Sequence, residues 1–341
     1  MPSVRFLSRR RFLFTFLLAL LIHGIVWQLW EPQIIHWGEQ MANLLRGRPF
    51  NQTQVLDSNG LPVQVYRDGS KQYNPLFIAV KAKQDFVHRE EAASRKSFLN
   101  LSQWLLDNAV HRDSILLLPY NFDFPKFGMR APWTSGLAQA VTMRVFAQRA
   151  SIDANPVWKD AFHATLRSLL PGSQHTITLP DSSLWFMEYP GTSAPYALSG
   201  MISTLLQIRY CYNLTREPVL SELFDRGYRA VIAKLPGFDR HGFSIYSLDG
   251  TLNGRNYHQR YYQRLLQLDA IRPHPSLRYY AKRWKNHDLL PVLIQLVYNP
   301  RPRRVAAVLG TLLLLWALLM LACYLFYRLG RKRRSALSKS S

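Results

Sequence analysis

At 341 residues and 48% hydrophobic composition, the chain has room for one large domain or two ordinary ones, with enough apolar matter for a core. Its 43 Lys and Arg against 21 Asp and Glu give a formal charge of +22, which suits an anionic ligand or apposition to anionic lipid. Two cysteines, Cys211 and Cys323, exclude a disulfide framework and a cysteine-rich metal site alike.

In chain order, the first feature is an almost wholly apolar stretch from Phe12 to Trp30, preceded by Arg9-Arg10-Arg11. It is long enough to cross a hydrocarbon core of about 30 Å as a helix. Trp27, Trp30 and Pro32 stand where a small-x-small cleavage site would be, so an uncleaved anchor is expected. A second such stretch runs from Val305 to Tyr327. Arg5, Arg9, Arg10 and Arg11 precede the first; Arg328, Arg331, Lys332, Arg333 and Arg334 follow the second. This bias places both termini in the cytoplasm and everything between on the far side. Arg301, Arg303 and Arg304 run against that orientation, but long loops translocate largely regardless of charge. A domain so placed excludes nucleic acid as its partner.

Between the spans, residues 31–52 read as a tether with one helical turn. Thr53 to Val65 reads as a hairpin around Asp57-Ser58-Asn59-Gly60, with Pro62 weakening its second strand. Tyr73-Asn74-Pro75 reads as a break. A helix is expected from Phe86 to Val110, with Phe98, Leu101, Leu105 and Ala109 on one face. The apolar run Ile115 to Leu118 stops at Pro119, and an aromatic and Pro-rich segment leads to Gly136. Helices then follow on the Leu137, Val141, Val145 spacing, and from the Asn155 cap and Pro156 to Leu170. Residues 175–187 read as a hairpin, and further helices are expected near 195–213, 217–234, 255–271 and 275–287. Strands do not alternate with helices, so a predominantly helical domain is expected rather than a parallel α/β sheet. The thiol of Cys211 reads as a small core residue.

No Walker loop, Gly-x-Gly-x-x-Gly, His-Glu-x-x-His or Gly-x-Ser-x-Gly occurs. The most informative side chain is Glu188, a carboxylate on the aromatic strand Trp185-Phe186-Met187-Glu188-Tyr189-Pro190, where burial makes charge expensive. On residue-level grounds it is either a core carboxylate paired with an Arg or a functional acid. Tyr189, Tyr246 and Tyr257 are individually ordinary among 17 tyrosines. His258 reads as an exposed residue at a helix start.

The blocks Pro132-Trp133-Thr134-Ser135-Gly136-Leu137-Ala138-Gln139-Ala140, Glu188-Tyr189-Pro190, Leu198-Ser199-Gly200-Met201, Tyr246 in Phe243 to Leu248, and Asn256-Tyr257-His258 occur in that order. Together they resemble the C-terminal domain of D-glucuronyl C5-epimerases over roughly residues 73–285. The sequence departs from that pattern at Met187, Ser199, Ala140 and Tyr261, and Asp249 stands where vertebrate members carry an Arg.

The resemblance implies a mainly α fold, an (α/α) toroid or incomplete barrel with small β-hairpin elements, here flanked by two transmembrane helices. It implies inversion of C5 in hexuronic acid residues of a polymer, with catalytic residues Glu188, Tyr189, Tyr246 and Tyr257 and no cofactor or metal. Glu188 and Tyr257 would serve the two faces of the sugar, while Tyr189 and Tyr246 orient them or share proton transfer. Substrate-binding candidates are Trp133 and Trp185 as stacking platforms, Gln139, His258, and the cations Arg130, Arg255 and Arg260 near the motifs. Core packing stays open for both tryptophans. A uronan lyase using the same carbanion and a non-catalytic glycan-binding scaffold of an export complex are the alternatives.

The organisation expected is a cytoplasmic terminus and anchor at 1–30, a tether and hairpin region at 31–72, the catalytic domain at 73–300, and a second span with a basic tail at 301–341. The arrangement resembles a bacterial inner-membrane protein facing the periplasm. Its expected partners are an anionic uronan, the membrane, proteins of exopolysaccharide synthesis or export, and a second copy of the chain.

Overall fold

The computed structural model describes residues 9–45, 54–66, 69–192, 196–298 and 300–337. The chain divides into two compact units, residues 49–285 and residues 1–48 with 286–341. Helix α1 (Arg9–Leu45) contains the first apolar stretch and continues well past Trp30. The expected tether is therefore helical as far as Leu45, and its remainder lies outside the described residues.

The 49–285 unit opens with a three-stranded antiparallel sheet of β1 (Gln54–Leu56), β2 (Pro62–Val65) and β3 (Lys71–Tyr73), in that order. Asp57 makes the first turn, its Oδ1 accepting from the N–H groups of Asn59 and Leu61, each at 2.8 Å. Pro62 takes the first position of β2, a place in a strand that tolerates proline. The short polar segment of β3 has no apolar alternation to announce it.

Asn74-Pro75 starts a helix rather than breaking the chain. Asn74 accepts from the N–H groups of Leu76 and Phe77 at 3.1 and 3.3 Å, and Pro75 takes the first helical position, where its missing N–H costs nothing. Helix α2 (Pro75–Val87) ends at a turn over 88–91, and α3 (Ala92–Asp107) runs back along it. The single helix expected from Phe86 to Val110 is thus the end of one helix and the whole of the next. The apolar positions that define its face, Phe98, Leu101 and Leu105, all lie in α3, so their spacing says nothing of where that helix begins.

Next come the hairpin β4 (Val110–Arg112) and β5 (Ile115–Leu117), then α4 (Gly136–Ala150) and α5 (Pro156–Arg167). The hairpin β6 (Thr176–Thr178) and β7 (Leu184–Phe186) precedes α6 (Leu198–Thr215) and α7 (Pro218–Lys234). After the small ribbon β8 (Asp239–Arg240) and β9 (Phe243–Ser244) follow α8 (Arg255–Ile271) and α9 (Pro275–Asp288).

Packing sorts these helices into two layers. Helices α2, α4, α6 and α8 lie side by side in that order, and α3, α5 and α7 each back the helix before them. This is an (α/α) toroid, an incomplete barrel with β-hairpins in its loops. Helices α4 and α6 are buried nearly all round, as interior helices must be. Helix α5 instead buries one stripe, Trp158, Ala161, Phe162, Thr165 and Leu166, and α7 does the same with Leu220, Leu223, Phe224, Tyr228 and Val231.

The remaining unit contains α1, α10 (Val292–Tyr298) and α11 (Pro302–Leu337). Phe12–Glu31 and Pro302–Gly330 are both long and apolar enough to cross a membrane. Thr311 Oγ1 meets Trp27 Nε1 at 2.9 Å and His23 Nε2 at 3.0 Å. Arg304 grips Glu31 with two bonds of 2.6 and 2.8 Å, both side chains buried, and also donates to Gln295 at 2.7 Å.

Gly136 fixes how the segment after β7 meets the inner layer. A Cβ there would lie 2.3 Å from the carbonyl oxygen of Met187. Gly136→Ala is expected to force backbone apart and destabilise the domain by about 1–3 kcal/mol, seen as a lowered Tm in thermal unfolding.

Candidate active site

The inner helices enclose a cavity of about 610 Å³, lined by residues of α2, α4, α6 and α8 and by Glu188. A volume of this size is typical of pockets that bury small ligands. Glu188 reaches it from just beyond β7, whose ladder is extended by the bond from Met187 N to His175 O at 2.8 Å. Although a carboxylate, it is only 9% exposed. It rests on the first turn of α6: a Cβ on Gly200 would lie 2.6 Å from both Glu188 Cβ and Glu188 Oε2. The glycine of Leu198-Ser199-Gly200 thus lets a negative charge sit at a helix N-terminus, which favours it.

The phenols gather around this carboxylate in layers. Tyr246 donates to Glu188 Oε2 at 3.4 Å, and the Tyr189 hydroxyl hydrogen-bonds that of Tyr246. Tyr261 donates to the backbone oxygen of Tyr246 at 3.2 Å and so holds that tyrosine in place. Burial, and then the charge of Glu188, push the hydroxyls of Tyr189, Tyr246 and Tyr261 well above the usual phenol range. They remain protonated and act as donors. Phe127 stacks on Tyr189 at 4.4 Å and on Tyr246 at 5.9 Å, closing the rear of the group.

Tyr257, in the first turn of α8, differs. It lines the cavity, is 45% exposed, and meets the ring of Tyr246 edge-on at 6.0 Å. Glu188 and Tyr257 are therefore the two of the four motif residues on the cavity wall, with Tyr246 between them and Tyr189 behind.

The wall is strongly cationic. Arg260 lies over the Tyr257 ring at 5.6 Å. Arg264, one turn on, donates through Nη1 to the Ser199 carbonyl at 3.0 Å and to the Ser199 hydroxyl. Lys83 enters from α2, and burial, then the charges of Arg144 and Arg264, hold its ammonium below the usual lysine range. Neither Arg264 nor Lys83 was legible as a site residue. Tyr257, Arg260 and Arg264 share a helix face at spacings of three and four, a signal α8 does carry. With Tyr73-Asn74-Pro75 read as a break, no sequence signal points to Lys83.

Other candidates lie elsewhere. Arg130 is exposed and pairs with Asp123 at 2.7 Å rather than facing the cavity. Gln139 is fully buried and joins layers, accepting from Leu118 N at 2.9 Å and donating to Leu116 O at 2.7 Å and Ser168 Oγ at 3.0 Å. Trp185 is core, stacked on Phe238 at 5.9 Å. Trp133 stacks on Tyr120 at 3.9 Å within the aromatic cluster that backs Tyr189, and donates to Phe122 O. Arg255 is buried at the first turn of α8 and does not line the cavity.

His258 is fully buried, not exposed. Its Nδ1 accepts from Ser244 N at 3.0 Å, which leaves Nε2 to donate to Trp284 O at 2.9 Å. It therefore pins β9 to α8. Asp249 closes its own turn on the N–H and hydroxyl of Thr251. Cys211 is buried, and burial pushes its thiol up to about 12. Among the described residues, no group of three or more His, Cys, Asp or Glu is arranged to hold a metal.

The profile of the family described as D-glucuronyl C5-epimerase C-terminus matches residues 112–286. A protein of Methanocaldococcus jannaschii described as uncharacterized is 25% identical over 173 residues, 49% of this chain and 56% of its own length. The chain thus spans little more than half of that relative. Among solved structures, a cellobiose 2-epimerase from Bacillus thermoamylovorans is 11% identical, with 72% of this chain and 70% of that one covered and a TM-score of 0.47. A D-mannose isomerase is 14% identical, with 76% and 70% covered and a TM-score of 0.48.

Gly200→Ala is expected to displace the Glu188 side chain and lower turnover by roughly a hundredfold while the fold survives, measurable as a kcat loss at near-constant Tm. Arg130→Ala should leave turnover unchanged. Because the Lys83 ammonium is depressed, anion binding in the cavity should weaken as pH rises through its lowered pKa, before an ordinary lysine would titrate; a pH series of anion affinity checks this.

Proposed function

Because the chain belongs to the family of D-glucuronyl C5-epimerase C-terminal domains, and is therefore a carbohydrate epimerase by kinship, we propose that it inverts C5 of hexuronic acid residues within a polysaccharide. The observation that carries this reading is the placement of Glu188 and Tyr257 on one cation-walled cavity. Inversion needs a base on one face of C5, a proton donor on the other, and positive charge to stabilise the carboxylate as it takes up electron density.

Glu188 is the base. It takes the C5 proton, and the electron pair of the C–H bond moves into the carboxylate to form an enediolate. Tyr257 returns a proton from the opposite face, and the electron pair comes back to C5, so composition and oxidation state are unchanged. The buried donor Tyr246, backed by Tyr189, holds the Glu188 carboxylate in one orientation. It also offers a route by which Glu188 and Tyr257 exchange protons between turnovers. The cations on the wall supply the charge stabilisation that a phenol needs to act as base in the reverse direction.

The two apolar helices support a membrane-bound protein whose domain lies outside the cytoplasm, in a periplasm facing exopolysaccharide synthesis or export. An anionic uronan is its substrate there.

The test is incubation of the full chain with a panel of uronic-acid polymers in deuterated water. Deuterium should enter C5 with chain length preserved, and Glu188→Gln or Tyr257→Phe should each lower the exchange rate by about 10²–10⁴-fold. Appearance of chain-terminal unsaturated uronate, absorbing in the ultraviolet, would replace the epimerase by a lyase. Absence of exchange on every polymer would remove the reading.

A further inference from the structure

Charge is not balanced on the cavity wall. Its ionisable side chains comprise one carboxylate, Glu188, the phenol of Tyr257, and four cations, Lys81, Lys83, Arg260 and Arg264. Lys81 is neutralised by Asp85 one turn away on α2, and Arg260 is occupied by the Tyr257 ring. Among the described residues, Lys83 and Arg264 have no carboxylate within ion-pair distance. They come from α2 and α8, two different inner helices, and both line the cavity, near enough for the charge of Arg264 to depress Lys83.

The anchoring of Arg264 shows how a ligand would be met. Both of its contacts, to the carbonyl and the hydroxyl of Ser199, use Nη1. The guanidinium is thereby fixed in direction with its other edge unspent. A planar fork held this way matches a carboxylate with two parallel bonds, while an ammonium adds a point charge from the side. Glu188 lies in the same neighbourhood, since its charge is felt by Arg264. In a uronate the carbon that loses its proton is bonded directly to the carboxylate carbon. A base and a carboxylate clamp on one wall therefore fit one sugar residue.

Resting on the epimerase reading above, we propose that Arg264 and Lys83 form the subsite that grips the carboxylate of the reacting sugar and make the cavity selective for uronate over neutral hexose residues. Ser199 acts behind Arg264 as a positioning residue. A bound carboxylate also relieves the repulsion between the two cations, so occupancy and charge balance are reached together.

The experiment compares binding of an oligoglucuronate and of the same oligosaccharide after reduction of its carboxyl groups to alcohols, using the full chain in detergent. The wild type should prefer the acidic form. Lys83→Gln and Arg264→Gln should each shrink that preference by roughly tenfold to a hundredfold, the loss expected for a hydrogen bond to a charged group, with neutral binding unchanged. Arg264→Lys should restore part of it. Lys83 makes no hydrogen bond within the fold among the described residues, so Lys83→Gln keeps the test sound should Arg264→Gln misfold.

Equal wild-type binding of the two sugars, or a preference that survives both substitutions, overturns the subsite. Binding needs no turnover, which separates the two readings. A preference lost in the variants without any deuterium exchange keeps the subsite and sinks the epimerase. Exchange that continues in both variants at wild-type KM sinks the subsite alone.

Discussion

The site depends on one close approach, that of the Glu188 side chain to the backbone of Gly200. A buried carboxylate is unfavourable unless its charge is met, and here it is met in two ways. The first turn of α6 turns its N-terminal end toward it, which only a residue without a Cβ permits at this distance. Tyr246 then donates to it, with Tyr189 and Tyr261 fixing Tyr246 in turn. Each phenol is kept protonated by burial and by the nearby charge of Glu188. A carboxylate can only accept, which sets Tyr246 as its donor.

That arrangement explains why the layers of the toroid differ in composition. The outer helices need only one apolar stripe, and α5 and α7 have it. The inner helices α4 and α6 are buried nearly all round, and at the cavity they differ: α6 presents the polar side chains Ser199, Ser203 and Gln207, whereas α4 presents Leu137 and Val141. Helix α8 goes furthest, presenting Tyr257, Arg260 and Arg264 to the cavity while Tyr261, Leu265 and Leu268 face the core. One helix thus joins the exposed phenol Tyr257, the cations Arg260 and Arg264, and Tyr261, the support for Tyr246.

How much of this was legible follows from which signals are local. The helix start marked by Asn155-Pro156 reads well, because its capping chemistry is contained in two residues. The same signal at Asn74-Pro75 follows Tyr73 in a triplet that also reads as a break, and under that reading α2 is lost as far as Phe86. The four motif residues were named by resemblance, and the glycines beside them explain physically why the motifs contain Gly136 and Gly200. The binding residues were harder. Proximity in sequence suggests Arg130, Arg255 and Arg260, but proximity says nothing of side-chain direction: Arg260 lines the cavity, while Arg130 pairs with Asp123 and Arg255 does not reach it, and Gln139 and His258 serve the fold. Lys83 lies far from any motif, and only the packing of α2 beside α4 brings it to the cavity. Side chains that meet from different helices leave no trace in a single sequence.

The same distinction applies to the apolar helices. Counting bases placed Arg304 on the wrong side of the orientation rule, as though it were a free charge. It is instead neutralised by Glu31, 273 positions away in sequence, in a buried pair whose two parallel bonds leave little residual field. Removing either partner would strand a buried charge at a cost of about 3–5 kcal/mol, so the pair is better understood as a register pin than as a source of net stability. It is not alone. Thr15 meets Met320, and His23 and Trp27 both meet Thr311. Residues 15, 23, 27 and 31 fall at multiples of four and so follow one face of α1, with their partners running in the opposite sense along α11. The remaining faces carry large apolar side chains turned outward, Phe14, Leu17, Leu21 and Leu29 on α1 and Leu313, Leu314 and Leu321 on α11. Two such helices with one polar stripe between them form an antiparallel hairpin whose alignment is set by polar contacts, since outward leucines favour no register over another.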